Sequence, residues 1–121
     1  MDYTNTTPLA YNVQMVIIET TVFTRLIRKL MDDDNYTELQ ETLIQKPNAG
    51  DLIPGSGGLR KVRWKVEGKG KRGGVRIIYY WMTSDEQLWM LYGYAKTKKE
   101  DLTKEQLKIL RDIVERWKNE R

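Results

Sequence analysis

Gly74-Val75-Arg76-Ile77-Ile78-Tyr79-Tyr80-Trp81-Met82 and, past the turn Thr83-Ser84-Asp85-Glu86, Gln87-Leu88-Trp89-Met90-Leu91-Tyr92-Gly93-Tyr94-Ala95 decide the fold. Both runs are rich in β-branched, aromatic and long apolar residues, which suit a pleated, half-buried surface. A connection this short returns the chain antiparallel to itself. Upstream, Leu59-Arg60-Lys61-Val62-Arg63-Trp64-Lys65-Val66 is a third run of the same kind, joined to the first by the glycine-rich loop 67–73. The expectation is a three-stranded antiparallel meander.

Working outward, Gln14-Met15-Val16-Ile17-Ile18-Glu19-Thr20 reads as a buried strand. Thr20 or Thr21 then offers an N-cap, and Phe23, Leu26, Ile27, Leu30 and Met31 recur at the spacing of one helix face. Asp32, Asp33 and Asp34 break that helix; Asn35 with Glu38 resembles a capping box, Tyr36, Leu39 and Leu43 line the next helix, and Pro47 stops it. Residues 48–58 read as loop. Thr103 with Gln106 forms another capping box before the stripe Leu107, Leu110, Ile113, Val114 and Trp117. The order β-α-α-β-β-β-α predicts an α+β fold: a mainly antiparallel four-stranded sheet, an N-terminal helical hairpin and a C-terminal helix.

A chain of 121 residues is one domain. It is expected over residues 15–121, with the polar residues 1–14 as a flexible extension. Residues 1–13 have neither the basic nor the apolar region of a secretory signal, and no apolar run is long enough for a bilayer, so a cytoplasmic location without membrane contact is expected. The chain has no cysteine and no histidine. That removes disulfides, thiol nucleophiles, serine–histidine triads and nearly every zinc site. Chemistry is left to Lys, Arg, Tyr, Asp and Glu. The Asp32-Asp33-Asp34 run reads as a solvated turn between helices, and neither metal nor cofactor is expected.

The charge is concentrated. Between positions 59 and 76, eight cations face the single acid Glu67, a local charge of +7 in a chain whose total is +4, so the remainder carries −3. A basic patch on a slightly acidic body directs a polyanion to one place. Lysines defending a sheet edge would need far fewer charges. Alternation along the strand puts Lys61, Arg63 and Lys65 on one face and Arg60, Val62, Trp64 and Val66 on the other. Arg76, opening the next strand, can join the cationic row, and Tyr94 and Lys96 share a face at the end of the last strand. Register decides how far these groups converge. The loop Gly68-Lys69-Gly70-Lys71-Arg72-Gly73-Gly74 lacks the Gly-Lys-Ser/Thr of a nucleotide-binding loop; it reads as a hairpin tip whose cations help embrace RNA. Trp64, Trp81, Trp89, Trp117, Tyr79 and Tyr80 read as core, whereas Tyr94 is a candidate for stacking on a base.

Three motifs, Gly57-Gly58-Leu59-Arg60-Lys61-Val62-Arg63, the stretch 68–80, and Tyr94-Ala95-Lys96 with Glu100-Asp101-Leu102, closely resemble the HigB branch of the RelE/ParE superfamily of type II toxins, in order and over residues 15–121. The resemblance implies the RelE-like microbial RNase toxin fold. It also implies a toxin that enters the 30S ribosomal A site, cleaves mRNA there and is neutralised by a cognate HigA-like helix-turn-helix antitoxin. The family's basic pair falls on Lys61 and Arg63, its arginine at the opening of the next strand on Arg76, and its basic residue after the last strand on Lys96. Where RelE-like members often carry a C-terminal aromatic, this chain has Leu102 nearby, and Ala95 stands where relatives tend to have Gly.

RNA can be cut without metal or histidine when the ribose 2′-OH attacks its own neighbouring phosphate, because the nucleophile is already in place. A lysine has a reference pKa of about 10.4, which neighbouring cations lower toward that of a usable base. The residues therefore suggest Lys61 as general base, Arg63 as phosphate ligand, Arg76 as transition-state clamp, and Lys96 as second clamp or leaving-group acid. Arg60, Lys65, Lys69, Lys71, Arg72 and Tyr94 would contact RNA or ribosome. The alternatives are a ParE-like inhibitor of DNA gyrase, acting through protein contacts, and a non-catalytic RNA- or ribosome-binding module that blocks translation by occupancy.

Overall fold

The computed structural model describes residues 3–4, 15–66, 74–97 and 101–120. Strands are β1 (Tyr3–Thr4), β2 (Val16–Glu19), β3 (Asp51–Leu52), β4 (Leu59–Trp64), β5 (Val75–Met82) and β6 (Gln87–Ala95); helices are α1 (Thr21–Leu30), α2 (Asp33–Gln45) and α3 (Lys104–Asn119). The strands form one sheet in the order β1-β2-β6-β5-β4-β3. Among the described residues, β2 with β6 is the only parallel pair; the other pairs are antiparallel. The four strands expected from the sequence are its centre, and the α+β class holds.

Two short edge strands depart from the four-stranded expectation. Tyr3 and Thr4, within the stretch read as a flexible extension, pair with Ile18 and Ile17. Asp51 and Leu52, within the stretch read as loop, pair with Lys61 and Arg60. Both residues of β3 are exposed, so no apolar alternation marks them; an open edge supplies backbone partners to any extended segment. Gly50, just before β3, is where two layers close up. Its N–H donates to the Tyr79 hydroxyl at 2.9 Å, which donates to the Pro47 carbonyl at 2.6 Å. A Cβ at Gly50 would stand 2.8 Å from the Tyr79 ring and 3.0 Å from the Lys61 backbone, leaving no room for a side chain.

The helices form largely for the reasons their sequences suggest. Thr20 caps α1, its hydroxyl accepting from Phe23 N at 2.9 Å and donating to the Leu91 carbonyl at 3.2 Å, which fastens the helix start to β6. At α2 the cap differs from expectation. Asp32 is the capping residue, its carboxylate accepting from the Asn35 backbone N–H at 2.9 Å and the Asn35 side chain at 2.8 Å. Asn35 is therefore a donor in the first turn rather than the cap, because the carboxylate three residues earlier is the stronger acceptor. The box at Thr103 and Gln106 closes both ways at 3.0 Å.

The sheet divides the core. Against one face pack α1 and α2, where Phe23, Ile27, Leu39 and Leu43 meet Ile17, Val62, Ile77, Tyr79, Leu88 and Met90. Against the other packs α3, where Leu110, Val114 and Trp117 meet Leu59, Ile78, Trp89 and Leu91. Trp89 and Trp117 lie edge to face with centroids 5.0 Å apart. The β5–β6 ladder shifts register between Ile78 and Tyr79: Ile78 pairs with Tyr92 but Tyr79 with Met90, so Leu91 is an extra residue on β6. Among the described residues no helix is long and apolar enough to cross a membrane.

Candidate nucleic-acid interface

Arg63 stands opposite Arg76 on β5, which stands opposite Tyr94 on β6. Two residues along β4, Lys61 stands opposite Ile78, which faces Tyr92; a further two along, Leu59 faces Tyr80, which faces Trp89. All these side chains belong to the face that carries α3. The rows through Leu59 are apolar and covered by the helix, while those through Lys61 and Arg63 become cationic beyond it. Backbone geometry at the open end is tight. Gly74 adopts φ +69°, and a Cβ there would stand 2.4 Å from the Trp64 carbonyl. The Lys96 N–H donates to the Gly74 carbonyl at 3.1 Å, drawing the end of β6 against the start of β5.

Within the cluster the groups differ in access. Arg63 is exposed, whereas Arg76 is only 7% exposed and donates from Nη1 to its neighbour's carbonyl, Val75 O, at 3.5 Å. Lys61 is half-buried and ion-paired: its Nζ lies 3.3 Å from Asp101 Oδ1. The same oxygen accepts from the Tyr94 hydroxyl at 3.5 Å and from the Leu102 N–H at 2.9 Å. Those donors keep the Asp101 carboxyl below its ordinary range, the Leu102 N–H first, then Lys61 and the charge of Lys96, against some desolvation. The Tyr94 phenol is pushed up to about 12 by burial and by Asp101, with the Arg76 guanidinium opposing. Tyr94 is therefore a neutral donor near neutrality, buried and tilted against Tyr92 with centroids 6.1 Å apart.

Of the residues singled out from sequence, Lys61, Arg63, Arg76 and Tyr94 come together, and Lys96 adjoins them through the carboxylate of Asp101. Lys65 is exposed just past the end of β4. Arg60 does not join them: it sits one residue out of phase on β4 and donates to the Gly50 carbonyl at 2.7 Å, a hydrogen bond to the backbone that fixes β3. Lys69, Lys71 and Arg72 lie outside the described residues. Asp101 is the member that sequence reasoning missed. Its signal was the Glu100-Asp101-Leu102 motif, which carries a family resemblance but no sign that its carboxylate reaches across to β4.

Fold and site together define a class: a small α+β protein presenting cationic side chains where one face of an antiparallel sheet emerges from beneath a helix. A family model described as RelE toxin of the RelE/RelB toxin-antitoxin system matches residues 15–120. The chain belongs to the RelE toxin family, the toxin half of a toxin-antitoxin pair, and has an antitoxin for partner. Among solved structures it is similar to a doubly substituted variant of the E. coli toxin RelE in its free state, with TM-score 0.50 and 13% identity over 69% of this chain and 85% of that one. At that identity the likeness is one of fold.

Proposed function

We propose that this toxin is a ribosome-dependent mRNA endoribonuclease of the HigB type, which cleaves mRNA in the 30S A site and is held in check by a HigA-like antitoxin in the cytoplasm. The observation that carries the reading is the Arg63–Arg76–Tyr94 row with Lys61 beside it on the same sheet face. A polyanion entering over the exposed Arg63 and Lys65 meets these groups in succession.

The bond changes can be carried by the RNA and these side chains, with the ribosome presenting the strand. The 2′-oxygen attacks the adjacent phosphorus, the bond to the 5′-oxygen breaks, and the products are a 2′,3′-cyclic phosphate and a 5′-hydroxyl. Lys61, released from Asp101, accepts the 2′-OH proton. Arg76, largely buried, neutralises the phosphorane, while Arg63 holds a non-bridging oxygen. Lys96 supplies a second positive charge or the proton for the leaving oxygen. These are weak acid–base groups, so accurate positioning of the RNA by the ribosome supplies much of the rate.

The test is a translation extract programmed with a defined mRNA and read by primer extension. The wild-type toxin generates new 5′ ends within codons, and Arg76→Ala lowers their yield about 100-fold, the usual effect of deleting one transition-state donor. Translation arrest without new ends would instead point to occupancy. Undiminished cleavage by Arg76→Ala would move the site elsewhere.

A further inference from the structure

One oxygen of Asp101 sits where three different donors converge: the Lys61 ammonium, the Tyr94 hydroxyl and the Leu102 backbone N–H. An ammonium, a phenol and an amide N–H around a single anionic oxygen form the kind of donor set that also holds a phosphate oxygen. The carboxylate is 66% exposed, and its segment lies just ahead of the capped start of α3, so it can be displaced without disturbing the core. Resting on the ribonuclease reading above, we infer that Asp101 is a specificity-determining residue: its carboxylate occupies the subsite of a phosphate group, and RNA must displace it to engage Lys61.

The magnitudes fit a filter rather than a lock. An ion pair this exposed shifts a binding equilibrium by about fivefold or less. An incoming phosphate must break that pair and also meets a like charge as it approaches. A lone phosphate or a short, freely diffusing RNA gains too few contacts to offset both. A strand already positioned along Arg63 and Lys65, as it is when another body presents it, brings several phosphate contacts at once and does offset them. Asp101 thereby makes the toxin discriminate against RNA that nothing else is holding.

The experiment measures affinity without chemistry. A fluorescent RNA oligonucleotide, 2′-O-methylated throughout so that it cannot be cut, is titrated into the purified toxin at fixed salt. The proteins compared are wild type, Asp101→Asn, Asp101→Ser, Lys61→Ala, Lys61→Ala with Asp101→Asn, and Asp112→Asn. Asp112 is an exposed acid of α3, and its variant measures what loss of one negative charge does anywhere on the surface. Asp101→Asn keeps an oxygen of the same shape, and Asp101→Ser keeps a smaller acceptor for the Leu102 N–H should the amide distort the turn. Both are expected to tighten binding about three- to tenfold beyond Asp112→Asn. In the Lys61→Ala background the gain falls toward the Asp112→Asn value. Asp101 variants binding no tighter than Asp112→Asn, or gaining equally without Lys61, overturn the inference. If the wild type still cleaves mRNA on ribosomes in that case, the ribonuclease reading survives alone; if no variant binds RNA and nothing is cleaved, both fall.

Discussion

Arg63 and Arg76 occupy directly paired positions on neighbouring antiparallel strands, two guanidinium side chains on one face of the sheet. Like charges placed opposite each other cost stability, so this pair is kept against the interest of the fold. Arg63→Gln is expected to raise the unfolding free energy by about 0.2–1 kcal/mol while lowering cleavage on ribosomes. Urea denaturation beside primer extension checks both. A variant that is less stable and fully active would contradict the account.

Tyr79 is a structural tyrosine, its hydroxyl bridging Gly50 N and Pro47 O from within the core. Tyr79→Phe leaves the Gly50 N–H and the Pro47 carbonyl without that partner, an expected cost of about 1–3 kcal/mol in denaturant unfolding. Because Gly50 packs on the Lys61 backbone, loss of activity in this variant should accompany loss of stability, and should be reversed by conditions that restore the fold.

The Tyr94 phenol has its folded pKa raised, from the ordinary 10.0 to about 12, so its contribution to stability is complete below pH 10 and disappears as pH rises through 12. Between those values wild type should lose stability relative to Tyr94→Phe by at most about 1.36 kcal/mol per pH unit. Below pH 10 their difference should be flat. The phenolate absorbance of wild type minus variant gives the midpoint directly; a midpoint near 10 would mean that the ring is not buried as described.

For Asp101 the sign is opposite. Its carboxyl is held below the ordinary 3.8, so the stabilisation it provides is present above that value and is lost as pH falls through the depressed one. Lys61→Ala should raise the midpoint only part of the way back, since the leading cause is the hydrogen bond from Leu102 N–H. Carboxyl carbon shifts followed by NMR from pH 6 downward measure this. Complete recovery in Lys61→Ala would leave the backbone hydrogen bond without a role.

What could be read in advance depended on how local the physics is. The limits of β6, the cap at Thr103 and the stripe on α3 are set by neighbours a few positions apart, and they stand as read. The cap of α2 went to Asp32 because both Asp32 and Asn35 are good cap residues and pattern alone does not rank them. β3 was invisible, since two exposed residues recruited by an open edge carry no periodic signal. Alternation already set Arg60 apart from Lys61, and the structure turns it to Gly50. The opposition of Arg63 and Arg76 is a matter of register, and the contact of Asp101 with Lys61 spans forty positions; neither is encoded in any short window.

The additional residue in β6 has a consequence for how this protein can change over time. Were Leu91 paired in step instead of bulged out of the ladder, everything after it would trade sides: Tyr94 would turn toward the helical hairpin and Gly93 toward the arginines. The hairpin side has no vacancy for the ring of Tyr92, which would then take the place of Gly93, where even a Cβ would stand 3.0 Å from both Leu30 and Ile77. The kink is thus a seam between two fabrics woven out of step, one a framework and the other a tool. Substitutions can accumulate at the tool end while the framework keeps its weave, and it is a one-residue slip of the pairing beyond the seam, not the loss of Leu91 itself, that would put both out of place.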